Sequence, residues 1–447
     1  MSALRIQNAT SRLTRTRRRR AIVMLPLLAG IGTALFLPTV GAAAAAPKIH
    51  LTMWQQWGGG HEEQELKTAI SQYEKLHPNV TITETPVTND AKILASITGG
   101  NPPDIIDLGT SSVLGGWATS GAVEPLTNLI KAAHLSLKQY VPAGLDAVTV
   151  NGTLYGLPFM NFLAGFLYNK KLFAAAGLNP NQPPATTQQL YADAIKLTKI
   201  QGGKITQLGF APNYPGPSQG QVCPLESYGW LFGGSWYSSS GKPTPDTPGA
   251  REALTWEKSF YTKFGATNVS NFIQSAGAYL TAGDPFESGK LAMMFDGPWT
   301  LQYIKANNPS LAKHIGVAKM PAPAGMGQNS GTTFIDTNAQ IIPRGSKNVQ
   351  AAFDFIEWET TNKQLTSEFA NTVANIPQLV SVPKFPLEND ARFKVFEQES
   401  KSKDARAWGQ SKISSQYSTE LCQAQDSALI GGASPAAALK LLARQVG

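Results

Sequence analysis

The sequence predicts an α/β fold of two domains, built on mixed, mostly parallel sheets with helices on both faces. Three observations predict it. From Ile49 onward, period-two strand segments alternate with helix segments of 3.6-residue period, the pattern that lays crossover helices on the faces of a parallel sheet. The alternation resumes at Lys170. The chain beyond its N-terminal segment is about 400 residues long, enough for two ordinary domains.

The elements follow in order. Ile49, Leu51 and Met53 alternate as a strand that ends at Trp54. Residues 62–77 predict an amphipathic helix with Leu66, Ala69, Ile70 and Tyr73 on one face. Glu62, Glu63 and Glu65 suit the positive end of its dipole, and Pro78 stops it. Val80 and Ile82 alternate again. Ile93, Leu94 and Ile97 mark a short helix closed by Gly99 and Gly100, and residues 104–108 are a short buried strand. Helices are expected at 170–176, 188–200, 250–264 and 349–369, with Trp256 and Trp358 in the core. Segments rich in Pro, Gly and Ser at 211–222, 237–249 and 321–331 are loops.

The N-terminal segment has its own logic. Arg5, Arg12, Arg15 and Arg17 to Arg20 come without any acid, an apolar run covers 21–40, and small residues at 41–46 lead into Pro47. That order is a secretory signal peptide. Residues 1–45 are therefore expected to be removed near Ala44 or Ala45, leaving an extracytoplasmic protein in the periplasm or at the cell surface. The alternative is an uncleaved anchor, because an apolar run of about 20 residues can span a bilayer. The whole chain has 38 Lys and Arg against 30 Asp and Glu; without the leader's seven Arg the balance is 31 against 30. The high pI thus belongs to the leader and gives no reason to expect nucleic acid. Nine Trp and 12 Tyr remain for flat apolar ligand faces. Cys223 and Cys422, outside the leader, would meet oxidising conditions and are candidates for one disulfide, the alternative being two buried thiols.

Catalytic, metal and nucleotide signatures fail on inspection. His61-Glu62 starts like a zinc-protease helix, but Glu65 occupies the second histidine position. The five His are scattered. Gly325-x-Gly327 runs into Ser330 within a Pro-rich loop rather than after a strand. Neither a nucleophile elbow nor a phosphate-binding loop is present. The expectation is therefore no catalytic residues, no metal and no cofactor, the open alternative being two carboxylates that meet in a cleft and cleave a glycosidic bond.

Eight segments in order give that reading a family. They are LTMW at 51–54, QYEKLHPNV at 72–80, GGNPPDII at 99–106, SGAVEPL at 120–126, NGTLYGLP at 151–158, LYNK at 167–170, FESGKLAMMFDGPW at 286–299 and IIPRGSKN at 341–348. With the helix that follows, they resemble the extracellular solute-binding proteins of sugar ABC importers, the group that includes the maltose-binding protein. The resemblance implies a type II periplasmic-binding-protein-like fold: lobe 1 from 46–157 plus 318–375, lobe 2 from 158–317 plus 376–447, and the ligand in the cleft between them. The chain would cross near 157–158, 317–320 and 374–377. It also implies a carbohydrate ligand, permease subunits as partners and a monomer. Both cysteines would fall in lobe 2.

Sugar capture needs flat rings for pyranose C–H faces and side chains that donate and accept hydrogen bonds to hydroxyls. Open α/β sheets bind ligands beyond the carboxyl ends of their strands, which selects Trp54, Gln55, Gln56 and Trp57 after one strand and Thr110, Ser111 and Ser112 after another. The resemblance adds Trp299, whose Gly-Pro-Trp motif commonly stacks on sugar, and Asn161 and Phe162 beyond the hinge, where Phe stands in place of an expected acid. Glu226, Trp230, Thr332 and Trp408 complete the candidates, each weighed against plain core packing. Asp296 is expected to cap the next helix, and Asp104 to hold a loop. A non-sugar solute in the same fold, or a sensory module without a transporter, are the rival functions.

Overall fold

The computed structural model describes residues 47–57, 60–216 and 223–447; the expected leader lies outside them. The strands are β1 (Ile49–Gln55), β2 (Val80–Pro86), β3 (Ile105–Leu108), β4 (Thr149–Val150), β5 (Thr153–Leu154), β6 (Gly156–Leu163), β7 (Gly165–Asn169), β8 (Lys199–Gln201), β9 (Lys204–Phe210), β10 (Leu291–Asp296), β11 (Ile315–Ala318), β12 (Thr333–Ile341), β13 (Ile376–Pro377) and β14 (Ala405–Arg406). A seven-stranded sheet runs β13-β6-β12-β3-β1-β2, with β14 beside β12. In it β1 is parallel to β2 and β3, while β12 is antiparallel to β3 and β6. A five-stranded sheet runs β11-β7-β10-β9-β8, with β10 parallel to β9 and antiparallel to β7.

The chain passes from the first sheet to the second at Ala164, between β6 and β7, a few residues beyond the Leu157–Pro158 step named from sequence. Up to Leu163 the strand pairs with β12, with one irregularity at Phe159. The return occurs between β11 and β12, at 319–332, and β13 still pairs with β6.

Helix His61–Leu76 buries Leu66, Ala69, Ile70 and Tyr73 as its periodicity requires. Asp104 holds a loop, as expected. Its carboxylate accepts from Thr52 N (2.9 Å), Thr52 Oγ1 (3.1 Å), Ser346 Oγ (2.9 Å) and Asn348 Nδ2 (3.2 Å), fastening β1 to two connections. Two long helices differ from expectation. Helix Thr187–Leu197 stops short because Lys199–Gln201 pairs with β9 through a tight turn at Gly202 and Gly203, both at positive φ. The 349–369 segment is two helices, Val349–Thr361 and Lys363–Val373. Asn362 leaves helical geometry and accepts from Leu365 N (3.1 Å), so it caps the second helix and interrupts the first. Trp358 packs between Tyr73 and Phe355, and Trp256 among Phe210, Tyr228, Phe232 and Phe260. Among the described residues no helix is long and apolar enough to cross a membrane.

Candidate functional site

A cavity of about 820 Å³ opens where β1 and β3 end, facing elements that follow the strands of the second sheet. Gln56 and Trp57 enter it after β1. Gln56 is pinned at both ends: Nε2 donates to Asp90 Oδ1 (2.6 Å) and Oε1 accepts from Gly109 N (3.0 Å). Trp57 leans on Phe369 (5.3 Å between centroids) and donates its indole N–H to Asp107.

After β3 the chain turns through Thr110, Ser111 and Ser112, and the buried Asp336 of β12 fastens that turn. Its Oδ1 accepts from Ser111 N (2.9 Å) and Ser111 Oγ (2.5 Å), and its Oδ2 from Thr110 Oγ1 (2.5 Å). Burial raises the Asp336 pKa above the ordinary carboxylate range despite these donors. On the same strand Asn338 donates to Gly109 O (2.7 Å) while its Oδ1 has no protein partner; Asn375, also lining the cleft, leaves Oδ1 free in the same way.

Trp299 supplies the opposite wall with Phe162, their rings 6.1 Å apart and edge to face. The Gly-Pro-Trp sequence has a local reason. A Cβ at Gly297 would lie 2.0 Å from the Trp299 ring, so only glycine lets the indole fold back over it. Trp299 Nε1 donates to Tyr279 Oη (2.7 Å), which donates to both oxygens of Asp296 (2.9 Å each). Asp296 does not cap the next helix as expected; Trp299 stands at the N-cap, and Asp296 instead accepts from the Thr300 hydroxyl (2.6 Å). Burial pushes the Asp296 pKa up to about 7.

Helix Ser414–Leu429 contributes Ser415, Ser418, Thr419, Cys422, Gln423 and Asp426 along one side. Carboxyls of Glu62, Asp90 and Asp426 line the cleft, each with its pKa raised chiefly by burial, and no described Lys or Arg does. Two contacts bridge it: Tyr303 Oη donates to Glu62 Oε2 (2.9 Å), and Ser414 Oγ to Ser112 O (2.9 Å).

Of the residues expected from sequence, the cleft gathers Gln56, Trp57, Thr110, Ser112, Phe162 and Trp299. Trp54 and Gln55 point to the two faces of β1, as successive strand residues must. Trp54 packs beside the cluster of Val87 and Ile93, with Lys92 Nζ 6.0 Å from its ring; Gln55 is fully buried beneath the sheet. Ser111 is buried against Asp336, Asn161 within β6, and Thr332 just before β12. Glu226 and Trp230 lie in the wholly buried helix Pro224–Leu231. Trp408 packs among Trp230, Trp236, Tyr237 and Tyr417 and donates to Ser414 O (3.0 Å). Trp230, Trp236 and Tyr237 border a separate depression of about 300 Å³. Cys223 and Cys422, the candidates for a disulfide, are here free thiols side by side, both lining the cleft, and Cys223 donates to Gln425 Oε1 (3.2 Å). Among the described residues no cluster of three His, Cys, Asp or Glu could hold a metal ion.

Sequence reasoning missed Glu62, Asp90, Tyr279, Tyr303, Asn338, Asn375 and the face of helix Ser414–Leu429. Only the last had a usable signal: Ser415, Ser418, Cys422 and Asp426 recur at helical spacing.

Several known proteins are similar to this chain in sequence or in fold. The maltotriose-binding protein of Pyrococcus abyssi is 24% identical over 345 residues, 74% of this chain and 67% of that one. The mannitol-binding protein of Pseudomonas aeruginosa is 26% identical over 327 residues, 68% of each. The sn-glycerol-3-phosphate-binding periplasmic protein of Yersinia pestis is 33% identical over 111 residues, 23% of this chain and 24% of that one. Among solved structures, CpMnBP1 with mannotriose bound superposes with a TM-score of 0.81 at 33% identity, covering 90% of this chain and all of that one. The profile of the bacterial extracellular solute-binding proteins matches residues 59–365, most of the described chain, and the protein belongs to that family.

Proposed function

We propose that the cleft captures a neutral oligosaccharide of the mannobiose or mannotriose class and that the loaded protein delivers it to the permease subunits of an ABC importer. The lining of the cleft carries this reading. Trp57, Phe162 and Trp299 offer ring faces to pyranose C–H groups, while Gln56 and the carboxyls of Glu62, Asp90 and Asp426 accept or exchange hydrogen bonds with hydroxyls. A phosphate ester would want Arg or Lys, and none of the described lining residues is either. The likeness to a mannotriose-bound protein at 33% identity supports mannose units over other sugars.

Capture and delivery need two states. Two lobes, each built around one of the two sheets, would close on the sugar as a hinge, and ligand contacts to both sides favour the closed form. The protein acts as a monomer, is exported by removal of its N-terminal segment, and transforms nothing. Calorimetry with mannobiose, mannotriose, maltotriose and glycerol 3-phosphate tests the ligand. Saturable mannotriose binding with no response to glycerol phosphate is expected; the reverse pattern rejects the proposal. N-terminal sequencing of exported protein should give a start between Ala45 and Pro47, whereas an intact Met1 on membrane-bound protein would make the segment an anchor.

A further inference from the structure

The floor of the cleft under Trp57 contains an arrangement that sugar binding alone does not require. Asp107, Gln55 and Gln340 are direct cross-strand neighbours on β3, β1 and β12, forming a polar row across the centre of the seven-stranded sheet. All three are buried. Glu359 of helix Val349–Thr361 is brought close to Asp107, itself fully buried. Asp107 Oδ2 accepts the Trp57 indole N–H, while Asp107 Oδ1 and both polar atoms of the neighbouring Gln340 amide have no hydrogen-bond partner among the described residues. Both Glu359 oxygens lack a protein partner.

We propose that Asp107 is a positioning residue: its carboxylate, ionised while Glu359 keeps its proton, fixes the plane in which Trp57 faces the ligand. The argument is electrostatic. Two carboxyls buried side by side with no cation between them cannot both ionise, so the pair carries one negative charge. The charge belongs where a hydrogen-bond donor is, on Asp107, which receives the Trp57 indole N–H. Glu359 receives none, and the nearby Asp107 charge raises its pKa further. Among the described residues no other titratable group acts on either pKa. Beyond Gln55 lie Glu84, which accepts from Gln55 Nε2 (3.3 Å), and Lys67, 3.4 Å from Glu84. Burial pushes the Asp107 pKa up to about 7, so the charge is lost within an ordinary working range of pH. A hydrogen bond to a carboxylate is roughly twice as strong as one to a neutral acceptor. The ring is therefore held most firmly when Asp107 is charged.

The consequence for the ligand rests on the reading that Trp57 stacks on sugar; the positioning itself does not. The test separates the two. The ligand-free protein is labelled with nitrogen-15 at tryptophan, and the Trp57 indole signal is assigned by its loss in Trp57→Phe. In the wild type this signal should move as pH falls from 8 to 5.5. In Asp107→Asn, which keeps an oxygen acceptor but no charge, it should be displaced and flat with pH. In Glu359→Gln the pH response should persist. An indole signal identical in wild type and Asp107→Asn overturns the proposal, and so does a pH response abolished by Glu359→Gln, which would put the charge on the wrong carboxyl. In parallel, mannotriose affinity should fall several-fold in Asp107→Asn and at least tenfold in Asp107→Ala, with Asp107→Asn still fully folded by circular dichroism. Wild-type affinity in a folded Asp107→Ala overturns the consequence for the ligand. Failure of the wild type to bind mannotriose would reject the sugar assignment and leave the indole measurement to decide the positioning role.

Discussion

Trp299 is the residue on which the sugar reading is most exposed to test. Its ring is 8% exposed, lines the cleft and also packs in the main hydrophobic cluster. Trp299→Ala therefore has two effects that must be separated. Truncating a buried aromatic costs about 3–5 kcal/mol of stability, a large part of a typical ~5–15 kcal/mol. Losing an aromatic that anchors a ligand costs about 2 kcal/mol or more in binding, roughly thirtyfold in Kd. Trp299→Phe distinguishes ring from N–H. It keeps a stacking face but removes the donor to Tyr279, whose hydroxyl still donates to Asp296. The phenylalanine variant should thus recover most of the affinity that alanine loses. Thermal unfolding first sets a temperature at which all three proteins are folded, and mannotriose calorimetry at that temperature gives the affinities. Scattering should show ligand-induced compaction of the wild type, and of Trp299→Ala only at higher mannotriose. A folded Trp299→Ala with wild-type Kd would make the ring a core residue and refute the stacking argument.

Three further outcomes follow from the geometry. Tyr303→Phe removes the hydroxyl that bridges to Glu62 across the cleft; a net hydrogen bond of about 0.5–1.5 kcal/mol predicts two- to tenfold weaker sugar binding, and unchanged calorimetric affinity would mean the bridge plays no part in closure. Burial raises the pKa of Asp107 and of Asp296 to about 7, against ~3.9 in an unfolded chain. The folded state then holds protons that the unfolded state releases, so stability is fullest below about pH 4 for these groups and declines as pH rises to 7. Urea midpoints should be higher at pH 5.5 than at pH 8, and a flat or opposite trend would show that these acids are not held neutral by burial. Finally, the adjacent thiols of Cys223 and Cys422 should be closed by oxidation in exported protein, leaving none to alkylate without reductant; two alkylated cysteines in such material would show that the pair stays reduced.

How much of this was legible beforehand depended on what each residue needed. Helix His61–Leu76 was readable because its apolar face and Pro78 are local facts. The break at Asn362 was not, because Asn tolerates helix interiors and acts as a cap only when the chain turns there. Within the site, the positions after β1 and β3 were reachable from a general rule about strand ends, which is how Gln56, Trp57, Thr110 and Ser112 were found. The same rule could not say which of two successive residues faces the cleft, so Trp54 and Gln55 came along with them. Trp230 and Trp408 illustrate a different gap: an aromatic suited to stacking on sugar is equally suited to stacking on other aromatics, and here the ring partners are Trp236, Tyr237 and Tyr417. Asp107 and Asp336 were passed over because a carboxyl inside a strand gives no sign in sequence of the donors that will meet it.

The two tryptophans of the cleft share a device that bears on specificity. Trp57 gives its indole N–H to Asp107, and Trp299 gives its own to Tyr279 and through it to Asp296. In each case a buried acid behind the wall consumes the only donor the ring has. What faces the ligand is then apolar surface alone, and Phe162 between them has nothing polar to offer. Such a wall favours any pyranose with an exposed C–H face and cannot tell one hydroxyl pattern from another. On the proposed reading, discrimination comes from polar groups lining the cavity: the carboxyls of Glu62, Asp90 and Asp426, and the hydroxyls of helix Ser414–Leu429. On the proposed reading the aromatic residues would set the strength with which sugars bind, and the polar residues, most of them invisible as a set in the sequence, would decide which sugar it is.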